Sequence, residues 1–62
     1  MNDTIIVERL EQVAKHVEKA VDAGKQNDWR EAEQKLQRAQ TSMVTAMRLV
    51  ELANDIRRIQ VR

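Results

Sequence analysis

Ala39-Gln40-Thr41-Ser42-Met43-Val44-Thr45-Ala46-Met47 carries no formal charge, in a chain of which 34% is Asp, Glu, Lys or Arg. A helix with one face in water normally shows a charge every turn or so. Here roughly two and a half turns pass without one. The polar members are small: Thr41, Ser42 and Thr45. Such a segment is expected to be covered on more than one side. A short hairpin covers one side of a helix by itself, so the second cover would have to come from another chain.

The helical pattern extends in both directions from this stretch. Trp29, Ala32, Leu36, Ala39, Met43, Ala46, Val50 and Ala53 alternate spacings of 3 and 4 residues, the seam of a helix packed on other helices. Its frequent alanines permit close approach of the neighbour. A second stripe, Thr45, Leu49, Leu52, Ile56 and Ile59, widens the apolar face from about Val44 onward. At the front, Asp28-Trp29-Arg30-Glu31 reads as a helix start. The Asp28 carboxylate can accept a first-turn N–H, and an acid three residues later is the pattern of a capping box. The spacing predicts a helix over residues 29–60.

Upstream, Ile6, Leu10, Val13, Val17 and Ala20 form a second seam, widened to one side by Val7, Ala14 and Val21. Glu8, Glu11, Lys15, Glu18, Lys19 and Asp22 occupy the opposite face. This predicts a helix over residues 4–23, capped by Asp3 or Thr4, after a frayed start. The β-branched run Ile5-Ile6-Val7 also admits a short strand paired with a partner, and the helix is the preferred reading. Gly24, the only glycine, is expected to end the helix in the left-handed conformation. Residues 24–28 are then the turn, and so short a connection makes the helices antiparallel neighbours. The fold class is all-α: one helical-hairpin domain over residues 1–62, with a longer second helix.

With the turn centred near Gln26, Thr4 lies opposite Arg48 and about a dozen residues of helix two overhang, ~18 Å at 1.5 Å per residue. The overhang carries Leu52, Ile56 and Ile59. Water penalises such a patch at ~25 cal/mol per Å². Composition points the same way. A core built from 62 residues is marginal and usually needs disulfides, a metal or association. There is no cysteine and one histidine, so association is the remaining route. The expectation is a homodimer with a four-helix core, or a higher oligomer of it. Met43, Val44, Met47, Leu49, Leu52, Ile56 and Ile59 would serve self-association or a partner.

Other chemistries find little in the sequence. Glu8 with Glu11 and Glu31 with Glu33 lie on ordinary solvated faces, and no Glu-x-x-His motif, phosphate loop or nucleophile motif occurs. His16 has no catalytic partner pattern and reads as a boundary residue of the first seam. An enzyme is not expected, nor a cofactor, nor a metal. No apolar run approaches the ~18 residues of a membrane span, and no signal peptide is visible. With cysteine absent, the expectation is a cytoplasmic protein with no membrane partner.

Two resemblances concern architecture. Ala20, Gly24, Trp29, Ala32, Leu36 and Ala39 sit where a tetratricopeptide unit places small residues, a turn and an aromatic, so residues 13–46 resemble one such unit. The first-helix Trp-Leu-Gly-Tyr signature, the closing proline and a second copy are missing. In size and plan the chain is also similar to small plasmid RNA-binding hairpins that dimerise into four-helix bundles, with no shared motif. Neither resemblance assigns functional residues.

The expected function is that of a small non-enzymatic interaction module, an inhibitor, adaptor or chaperone acting through apolar helix surface. Its class of size and composition is met among phage and plasmid accessory proteins. Trp29, the only aromatic residue, either closes the hairpin end or anchors a partner. The alternative is an anion-binding module for RNA, a nucleotide or another phosphorylated small molecule, using Arg57, Arg58 and Arg62. The second half of the chain sets Lys35, Arg38, Arg48 and these three arginines against Glu33, Glu51 and Asp55. With a net charge of +1 overall, no global field supports nucleic-acid binding.

Overall fold

The computed structural model describes residues 3–60. Helix α1 (Asp3–Lys25) and helix α2 (Trp29–Gln60) run antiparallel through a three-residue connection. The result is a rod of 52 × 16 × 12 Å. Its radius of gyration is 14.9 Å, against roughly 11 Å for a compact domain of this length. Ile5, Ile6 and Val7 are helical. Met1, Asn2, Val61 and Arg62 lie outside the described residues.

The turn works differently from the expectation placed on Gly24. Asn27 takes the left-handed conformation, with φ 61°, and no described glycine has a positive φ. Its amide donates to the Gly24 carbonyl at 3.0 Å, and the Asp28 amide donates to the Ala23 carbonyl at 2.9 Å. This bond pair is the Schellman closure, in which asparagine can replace glycine because its short polar side chain tolerates that backbone. Gly24 is instead the second-last residue of α1. A methyl group there would meet the Trp29 ring at 3.3 Å, so the glycine makes room for the indole over the last turn.

Asp28 caps α2 as the sequence leads one to expect. Its Oδ1 accepts the Glu31 amide at 3.2 Å, and its carbonyl accepts the Ala32 amide at 3.0 Å. The returning half of a capping box has no vacancy, because the Asp28 amide is already given to Ala23. The Glu31 carboxylate pairs forward with Lys35 at 3.2 Å.

The two helices meet through alanine. Ala32, Ala39 and Ala46 are buried on α2, the last two at 2% and 1% exposure, and Ala53 is half-buried. These four share one heptad position, so a single line of methyl groups faces α1. The α1 side is Ile6, Ala20 and Ala23, buried, with Val13 and His16 half-buried. The heptad seams therefore fall only half in this contact. Ile6, Val13, Ala20 and the alanines enter it, while Leu10, Val17, Trp29, Leu36 and Met43 stay exposed. Close approach is the reason. Alanine lets helix axes come to the near end of the usual ~8–10 Å range, which leaves no room between the backbones for larger side chains.

The register also differs from the expectation. Asp3, Ile6 and Val7 share a hollow with Val50, Ala53, Asn54, Ile56 and Arg57. Centring the turn on Asn27 instead of Gln26 moves the residue opposite Thr4 from Arg48 to Val50, since each step of the centre moves the register by two. The unaccompanied end of α2 is shorter than the expected dozen residues, and Ile56 is half-buried.

Candidate interaction surface

The alanine contact divides the rod into two long flanks. On one, Val17, Val21 and Gly24 of α1 face Trp29, Ala32 and Leu36 of α2 across a shallow groove. Seven residues are close to two helical turns, so Leu10 continues the Val17 row and Met43 the Leu36 row. Lys25 and Glu33 also line the groove; from Ile6 to Gly24 the α1 rows through Leu10 and through Val21 carry no charged residue. Nearest the turn the smallest residue, Gly24, sits against the largest, Trp29. Farther along come Val17 with Leu36, then Leu10 with Met43. The exposure is large for apolar side chains: 67% for Trp29 and 52% for Leu36.

The other flank is polar near the turn. His16, Gln34, Gln37, Arg38, Thr41 and Ser42 line its hollow. The Thr41 hydroxyl donates to the Gln37 carbonyl of its own helix at 3.1 Å, which satisfies it without a neighbour. Nδ1 of His16 is buried and has no hydrogen-bond partner among the described residues. His16 is thus part of the helix contact, not a residue beside it.

The surface residues expected from the sequence do not form one patch. Met43 joins the apolar flank, with Met47 beside it and Val44 on the outward face, all exposed. Leu49 and Ile56 are half-buried on the other side of the contact. Leu52 and Ile59 are exposed farther round, Ile59 at 73%. Trp29 lies at the turn end of the apolar flank. Arg57 shares the hollow that contains Asp3, and Arg58 points about 100° away around the helix. Arg62 is outside the described residues. Leu10, Val17 and Leu36 lie in the heptad seams and Val21 beside one, yet all four are exposed; the seven-residue recurrence of alanine marks where the backbones meet.

The whole chain exposes 5373 Å², against roughly 4,100 Å² for a globular monomer of this mass. The excess, about 1,300 Å², is the surface cost of the elongated shape. Among the described residues no three His, Cys, Asp or Glu side chains cluster as a metal site. No helix among them is long and apolar enough to cross a membrane. No protein-family model, curated protein or solved structure matches the chain.

Proposed function

We propose that this protein is a small non-catalytic interaction module that works by associating through apolar helix surface, first with itself, as a homodimer with a four-helix core. The observation that carries this reading is the mismatch between apolar side chains and internal contact. Trp29, Leu36, Met43, Met47, Leu52 and Ile59 are all exposed on a rod too thin to bury them. A hairpin closed mainly by alanine removes little apolar area from water, and association is the economical way to remove more. As an inhibitor, adaptor or chaperone, the dimer would present its outer helix faces to a second protein.

Absolute mass by light scattering, at low and at high salt, tests the reading. The expected result is a dimer or larger species that persists as salt rises, since apolar association lacks the counterion release of phosphate binding. A monomer at every concentration would defeat self-association.

A further inference from the structure

We infer that the apolar flank, the groove bearing Val17, Val21, Trp29 and Leu36, is the surface on which a second copy of this chain docks. The inference rests on the self-association proposed above and assigns it to one side of the hairpin.

The sequence periodicity and the structure disagree in an informative way. The heptad seams run through Leu10 and Val17 on α1 and through Trp29, Leu36 and Met43 on α2, yet all five are exposed. In a hairpin standing alone, a seam should point at the partner helix. In a four-helix bundle each helix has two neighbours, and its apolar stripe points between them, toward the bundle axis. The stripe then lies to one side of the contact inside each hairpin. Both helices show this displacement, and both show it toward the same groove. The hairpin has the side-chain arrangement of half a bundle.

Helix count and charge choose the occupant. A bundle axis flanked by both helices of this hairpin calls for two further helices, which a second copy supplies. A two-fold axis makes the same patch serve both copies, and the charged residues that line it, Lys25 and Glu33, are opposite in sign, so the patch meets itself without a net like charge. A partner recognised by charge would find one cation and one anion among the lining residues, Lys25 and Glu33, and no field of one sign. The opposite flank, with Gln34, Gln37 and Arg38, stays in solvent.

The test compares two variants by light scattering, with helicity followed by circular dichroism. Leu36→Glu places a charge in the groove, and Gln34→Glu places one on the opposite, polar flank. Dimer dissociation is expected to rise roughly 100-fold or more for Leu36→Glu, because the charge would be desolvated against apolar neighbours, and to stay within a few-fold for Gln34→Glu. The reverse pattern would overturn the assignment and leave self-association standing. A wild-type monomer would overturn both and open the groove to a foreign partner. If Leu36→Glu loses its helicity, acrylamide quenching of Trp29 in the wild-type dimer decides. A shielded indole supports the groove, whereas quenching like that of free indole overturns it.

Discussion

The two flanks of the rod overlie the same line of alanines and differ in almost everything else. One carries Val17, Val21, Trp29 and Leu36; the other carries His16, Gln34, Gln37, Arg38, Thr41 and Ser42. A symmetrical hairpin would have a pair of equivalent grooves. Here the polar flank satisfies itself, as Thr41 does through Gln37, whereas the apolar flank gains nothing from water. The comparison teaches that the alanine contact is a dividing line for sorting residues, with Val17, Val21, Trp29 and Leu36 collected on one side of it.

The largest effect is expected where both flanks depend on one contact. Ala46→Leu forces a bulky side chain into a site with 1% exposure and should destabilise the hairpin by about 3 kcal/mol. Urea denaturation reads this directly, and a loss under about 0.5 kcal/mol would show that the helices do not meet there. On the polar flank, His16→Leu should stabilise by about 1.5 kcal/mol, since it removes a buried nitrogen without a partner. A destabilised variant would mean that Nδ1 has found a bound water. At the turn, Asn27→Ala should cost about 1 kcal/mol and Asn27→Gly should not, because alanine pays for the left-handed backbone and glycine does not. Equal stability of the two would remove the closure assigned to Asn27.

The smallest effect sharpens the apolar flank. Gly24→Ala gains helix propensity and pushes on the Trp29 ring at 3.3 Å. The ring is largely exposed and can yield, so a net gain of about 0.5 kcal/mol is expected in melting experiments. A clear loss would show the indole held in place, as it would be under a second copy.

Much of the fold was legible in the sequence. Two amphipathic periodicities, a short connection and Asp28 at the head of a helix define the hairpin. The errors have physical causes. Glycine and asparagine both serve left-handed positions, and with Gly24 and Asn27 three residues apart the hydrogen-bond closure alone selects between them. The choice of centre then moved the register and inflated the overhang. The seams were found at the right positions, but a seam's phase does not say whether it points at one neighbour or between two. Side-chain size does: Ala32, Ala39, Ala46 and Ala53 mark the line where backbones touch. For the surface, the uncharged stretch around Met43 points to an apolar side, but its α1 half is hard to see because exposed Leu10 and Val17 share a seam with buried Ile6 and Ala20.

Asp28 belongs to both helices at once. Its amide fastens the end of α1 to Ala23, and its carboxylate fastens the start of α2 through Glu31. Neither helix can fray at the turn without loosening the other, so hydrogen exchange should find these amides slow for so exposed a place. Fraying is therefore expected to begin at the opposite end of the rod, around Ile6 and Ile56.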